Sequence, residues 1–132
     1  MDTALQELID AAQAAMHNAY CPYSGYSVGA AVMSANGDIY TGCNVESASY
    51  GATVCAERAA LCAATVAGAR ALSAVAVVSS GSTPYPCGIC RQMLSELAPE
   101  AVVFMKGRDG RIIQASVKEL LPYAFELNEN KP

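Results

Sequence analysis

The sequence predicts an α/β fold in three layers, α/β/α, with helices on both faces of a mixed sheet. Three observations carry that reading. Helical and strand patterns interleave in the order α-β-β-α-β-α-β-β-α. Two turn pairs, Asn36-Gly37 and Asp109-Gly110, each sit between β-rich runs and mark hairpins. One run, "ALSAVAVVSS", is apolar at consecutive positions, as in a strand buried on both faces.

The first helix covers "DTALQELIDAAQAAMHNAY". Leu5, Leu8, Ile9, Ala12, Ala15, Met16 and Ala19 share one face at helical spacing, and Cys21-Pro22 ends the helix. "YSVGAAVMSANGDIYTGCNVE" is a hairpin whose Asn36-Gly37 pair favours a type I′ turn. "VCAERAALCAATVAG" is a second helix, closed by Gly68. The buried strand follows, with Val75, Val77 and Val78. "CGICRQMLSELAPE" is a third helix, stopped by Pro99, and "AVVFMKG" and "RIIQAS" form the second hairpin. Ser116 and Glu119 have capping-box spacing for a short helix, "VKELL", and a Tyr123–Phe125 tail follows Pro122. With no repeat, linker or low-complexity tract, the 132 residues read as a single domain, 1–132.

Composition narrows the function. The chain is 53% hydrophobic, more than a small lone domain readily hides, which points to a subunit interface. Its net charge is −4, which disfavours DNA, RNA and anionic membranes as partners. No segment approaches a membrane span. The acidic, amphipathic start "MDTALQELID" is unlike a secretory or mitochondrial leader, so a cytoplasmic location is expected. There the six cysteines are expected as free thiols or metal ligands and not as disulfides.

The chemistry lies in "PYPCGICRQM" and "VCAER". Alone, the Cys-x-x-Cys of Cys87 and Cys90 is a weak signal. Cys55, however, also stands at a helix start, which brings three thiols to two helix N-termini. Helix N-termini lower thiol pKa and favour thiolate ligands. Three protein ligands leave the fourth tetrahedral position of zinc open, the catalytic arrangement and not the closed structural one. Glu57, two residues after Cys55, is a carboxylate placed to take a proton from an activated water and return it to a leaving group. Cys-x-Glu followed by Pro-Cys-x-x-Cys is the three-cysteine form of the zinc nucleobase deaminase signature. Zinc with three thiolates carries a formal charge of −1. Arg58 and the backbone N–H groups of the helix starts are the candidates for withdrawing charge from the sulfurs.

Around these motifs the sequence resembles the small homotetrameric cytidine deaminases. The resemblance runs from Tyr20 to about Phe125, through "CPYSGYSVGAAV", "GDIYTGCNVESASYG", "CAERAAL", "PCGICRQMLSE" and "ELLPYAF". It implies a five-stranded mixed sheet and zinc-dependent hydrolysis of cytidine and deoxycytidine to the uridines with release of ammonia. It also implies one zinc per chain on Cys55, Cys87 and Cys90, with Glu57 as the proton shuttle. Asn44 and Glu46 would bind the ribose. Tyr26, where phenylalanine is usual, and Ala56 would lie against the substrate. Phe125 would close over the base from a neighbouring subunit, and Tyr50 would lie in an interface loop. Gly25 and Ser47 depart from a common lysine and asparagine. The ribose assignment has separate support: Asn44 and Glu46 are alternate residues, so an extended strand end points both to one side, and an amide with a carboxylate suits sugar hydroxyls.

Other residues have simpler readings. Cys21, Cys43 and Cys62 are expected as small apolar core or edge residues. His17 falls off the apolar stripe and is expected in solvent. Met93 and Leu94 read as core. Gln92 either orients the active-site loop or is an ordinary helix-surface residue. Three rival functions remain open at this level. One is deamination of another aminopyrimidine nucleoside such as blasticidin S, which "NVES" and Arg58 disfavour. Another is a deaminase acting on nucleic acid, which the shortage of lysine and arginine disfavours. The last is a structural zinc module, which the presence of Glu57 and the lack of a fourth ligand disfavour.

Overall fold

The computed structural model describes residues 2–127. Its elements follow the expected order: α1 (Thr3–Met16), β1 (Val28–Ser34), β2 (Ile39–Cys43), α2 (Ala56–Val66), β3 (Leu72–Ser79), α3 (Gly88–Leu97), β4 (Val102–Lys106), β5 (Ile112–Ser116) and α4 (Val117–Leu120). A single 3-10 turn, Tyr50–Ala52, interrupts the loop between β2 and α2.

The five strands make one sheet in the order β2-β1-β3-β4-β5. β1 runs antiparallel to both β2 and β3, β3 and β4 are parallel, and β4 and β5 are antiparallel. The parallel pair needs a crossover, and α3 supplies it. β3 is central and its residues Val75 to Ser79 are buried, as the unbroken apolar run requires.

Both sheet faces are covered. On one, Leu8, Ile9, Ala12 and Met16 of α1 pack on Ala31, Ala76 and Val78. On the other, Ala56, Ala60, Leu61 and Ala64 of α2 and Leu94 of α3 pack on Ala30, Val32, Val75, Val77, Val103 and Met105. Small residues allow very close layers. A Cβ added to Gly42 of β2 would lie 2.4 Å from the Ala60 nitrogen and 2.6 Å from the Ala56 carbonyl oxygen, so the first turns of α2 rest directly on β2.

Three expectations need correction. The first helix ends at Met16, short of Ala19, with exposed His17 as its cap, because the chain then turns to pair Tyr20 with Val45. The first hairpin is not type I′. Only Gly37 has a positive φ (94°), the Gly37 N–H bonds to the Ser34 carbonyl, and the Ser34 N–H bonds to the Asp38 carbonyl. That is a three-residue loop with glycine in the left-handed position. Cys62 is neither core nor edge but exposed, because the buried face of α2 runs through Ala56, Glu57, Ala60, Leu61 and Ala64 and leaves the next residue outside. Elsewhere local chemistry acts as expected. Gly68 (φ 89°) closes α2, and the Ser116–Glu119 capping box starts α4.

Candidate active site

The site lies at one end of the sheet. There β2 ends at Cys43 and β1 begins at Val28, beside Ser79 at the end of β3. Both α2 and α3 begin at this end, so two sets of free helix N–H groups face the same region. A paired bridge between Val45 and Val54, with N–H to carbonyl bonds of 2.9 Å in each direction, closes the loop that leads from β2 to Cys55.

Cys55 is the N-cap of α2 and Cys87 the N-cap of α3, with Cys90 in the first turn of α3. The three sulfurs all lie within 4.8 Å of one another. Cys55 Sγ and Cys87 Sγ are 3.8 Å apart. Two sulfurs at about 2.3 Å from a tetrahedral zinc would be about 3.8 Å apart, so this spacing fits the metal. The backbone N–H of Cys90 points at Cys87 Sγ, 3.5 Å away. The Cys55 thiol is pulled down to about 5, first by a hydrogen bond from Cys90 and further by Arg58. The Cys90 thiol is pushed up by that same bond and by burial.

Glu57 is buried in the first turn of α2, and burial raises its pKa to about 7. Such a carboxyl group is poised to accept and return a proton near neutral pH. Arg58 donates to the Thr53 carbonyl at 2.7 Å, and the same nitrogen lies 3.9 Å from Cys55 Sγ. Its Nε is buried with no partner among the described residues. The Arg58 guanidinium therefore stands beside the Cys55 sulfur.

A cavity of about 190 Å³ is lined by Tyr26, Val28, Asn44, Ala56, Glu57, Tyr85 and other residues, with Cys55 and Cys87 at its wall. A larger cleft of about 400 Å³ lies between the first hairpin and the end of α2, but no cysteine or glutamate reaches it. The chemistry belongs to the smaller one. Asn44 is buried there. Its Oδ1 accepts from the Val28 N–H (2.9 Å) and its Nδ2 donates to the Tyr26 carbonyl (2.8 Å). Glu46 Oε1 accepts from the N–H groups of Tyr23 (3.0 Å) and Ser24 (3.1 Å), and Ser24 Oγ donates to Oε2. These bonds lower the Glu46 pKa, the Ser24 hydroxyl most of all. Both side chains reach the same segment, as alternate residues should, but Glu46 faces a neighbouring cavity lined by Tyr23, Tyr50 and Thr53.

The tail sits apart. Phe125 is 66% exposed and does not line the Glu57 cavity. Gln92 Nε2 donates to the Phe125 carbonyl at 2.9 Å. Tyr50 is 80% exposed. Arg91 escaped notice in the sequence: its Nε donates to the Pro86 carbonyl (2.7 Å) and its Nη1 to the Leu120 carbonyl (2.8 Å). Its only sequence signal is its place directly after Cys90.

Three thiols and a buried glutamate at two helix starts, under a three-layer α/β/α fold, define a zinc-type deaminase. Residues 2–106 match the family described as the cytidine and deoxycytidylate deaminase zinc-binding region. The chain belongs to that family. It is 46% identical over 122 residues to a cytidine deaminase of Halalkalibacterium halodurans, covering 91% of this chain and 92% of the relative. It is 41% identical over 123 residues to that of Sporosarcina psychrophila, covering 92% and 90%. The crystal structure of cytidine deaminase from Burkholderia pseudomallei superposes with a TM-score of 0.89 at 44% identity, covering 95% of this chain and all (100%) of that one.

Proposed function

We propose that this chain hydrolyses cytidine and deoxycytidine to uridine and deoxyuridine, releasing ammonia. The observation that carries the reading is the buried carboxyl group of Glu57 in one cavity with the Cys55 and Cys87 thiols. Zinc held by Cys55, Cys87 and Cys90 would supply a Lewis acid that brings the pKa of water toward neutrality. Glu57 takes a proton from the attacking water and gives one to N3 of the base. Once the water oxygen is bonded to C4, Glu57 takes the remaining proton of that hydroxyl and delivers it to the amine as the C4–N bond breaks, leaving the C4 carbonyl of the uridine and free ammonia. Arg58 draws charge from the Cys55 sulfur.

The rest of the cavity suits a pyrimidine nucleoside. Tyr26, Val28, Val54, Pro84 and Tyr85 offer apolar surface to a flat base, and Ala56 adds no bulk beside it. Asn44 still has one N–H and one lone pair beyond its two backbone bonds, and Glu46 retains acceptor capacity beyond its three. Asn44 can therefore meet a ribose hydroxyl within this cavity, and Glu46 one that reaches the adjoining cavity lined by Tyr23, Tyr50 and Thr53.

The working form we propose is a homotetramer whose subunits share sites. Exposed Phe125 and Tyr50 support it, since neither has a core to join in its own chain. No helix among the described residues is long and apolar enough to cross a membrane. The need to keep three ligand thiols reduced supports a cytoplasmic place, and the products suit pyrimidine salvage. The test is the ultraviolet absorbance change of cytidine and deoxycytidine, with zinc measured on the same preparation. We expect one zinc per chain and turnover of both nucleosides. Zinc-loaded protein that leaves both unchanged would overturn the reading.

A further inference from the structure

We infer that Arg91 is a positioning residue for the zinc ligand Cys87, braced against the C-terminal segment. The inference rests on the reading of Cys55, Cys87 and Cys90 as zinc ligands.

Arg91 follows Cys90 on the first turn of α3, and its partly buried side chain takes no carboxylate among the described residues. Its Nε holds the Pro86 carbonyl, 2.7 Å away, in the peptide unit that joins Pro86 to Cys87. Its Nη1 holds the Leu120 carbonyl, 2.8 Å away, at the end of α4. The guanidinium is planar and rigid, so two bonds from one fork fix the separation of the two carbonyls in a way a lysine cannot. The next residue, Gln92, holds the same C-terminal segment at the Phe125 carbonyl, 2.9 Å away. Two adjacent residues of α3 thus pin the segment at its base and near its tip, and one of them also fixes the peptide bearing a ligand. Pro86 is buried while Cys87 is exposed, so the sulfur on the open side of the site depends on its backbone for position.

The test is release of zinc from the purified holoenzyme to a chromogenic chelator, read beside thermal melting. Zinc content before the challenge tests the ligand assignment separately: native protein without zinc defeats that reading, whereas changed release rates address Arg91. Arg91→Lys keeps the charge and the aliphatic stem but not the two-pronged bond. Contacts around metal ligands are typically worth about 10- to 100-fold in metal affinity, so we expect release about tenfold faster. Gln92→Ala should speed release less, and should add little in the Arg91→Lys background, because its effect passes through the same strut. If Arg91→Lys lowers the melting temperature but releases zinc at the native rate, Arg91 is a brace of the fold alone and the inference fails. If the two substitutions multiply independently, the C-terminal segment does not brace the ligand and that half is overturned.

Discussion

The metal half of the site and the recognition half are built differently. Cys55, Cys87, Cys90 and Glu57 stand on the first turns of two helices, over a core in which Ala56, Ala60 and Leu94 are fully buried. Glu46, Tyr50 and Phe125 stand on loops and a tail, and Phe125 does not line the cavity that Glu57 lines. Rigid elements hold atoms that must keep fixed distances for proton transfer and metal binding. Loops hold groups that meet a ligand which must enter and leave. Within one chain, the described residues bring the thiols and Glu57 together and leave Phe125 outside their cavity.

The largest expected effect separates the two halves. Glu57→Gln keeps shape and hydrogen bonding but cannot shuttle a proton. Zinc content and nucleoside binding should persist while kcat falls by at least the roughly 10²–10⁴-fold given by general acid–base catalysis. Steady-state kinetics beside elemental analysis decide it. Normal turnover would remove Glu57 from the chemistry.

Gly42→Ala strikes the packing under the metal half. Its Cβ would meet backbone atoms, the Ala60 nitrogen at 2.4 Å and the Ala56 carbonyl oxygen at 2.6 Å, which no rotamer change can relieve. Overpacking costs roughly 1–3 kcal/mol, and this contact should reach the upper end. A urea titration with zinc in excess measures it. Because α2 must move away, kcat should fall as well. Unchanged stability would mean that the β2–α2 approach is not tight.

The recognition half is tested by Phe125→Ala. Stacking of a base on an aromatic ring is worth about 1–3 kcal/mol, so KM should rise roughly 5- to 150-fold with zinc retained. Co-expression of Phe125→Ala chains with Glu57→Gln chains asks whose ring is used. Shared sites would pair an intact Glu57 from one chain with an intact Phe125 from another, and a fraction with near-native KM should appear. If no such fraction appears, each ring serves its own site and the proposed sharing is lost.

The same contrast explains what could be read in the sequence. Elements and metal site were legible because their signals are local: Gly68 ends a helix, Ser116 and Glu119 start one, and Cys55, Glu57, Cys87 and Cys90 lie at fixed steps along two helix starts. The shift of the first hairpin away from type I′ was not legible, since Asn-Gly suits several turns and the pairing of Ser34 with Asp38 chose among them. Arg91 was hidden because its partners, Pro86 and Leu120, are backbone carbonyls, and any residue offers a carbonyl. The separate cavity before Glu46 was hidden for a related reason. Alternation told which way the side chain points, but the fold of the Tyr23–Ser24 segment determined what it meets.

The smallest effect concerns the seam between the halves. The ring of Tyr26 lines the Glu57 cavity, and a Cβ on Gly81 would come within 2.9 Å of it. Its hydroxyl donates to the Ser82 carbonyl at 3.1 Å, in the loop that leads from β3 to Cys87. Tyr26→Phe removes that tie and leaves the ring. A single neutral hydrogen bond contributes about 1 kcal/mol, less where water competes, so KM should rise by no more than about fivefold. The chemical groups are untouched, so kcat should hold, and zinc content should match the native protein. A rise in KM at constant kcat places the hydroxyl with recognition. A fall in kcat at constant KM would instead show that the loop it ties positions Cys87, and the seam would then belong to the metal half.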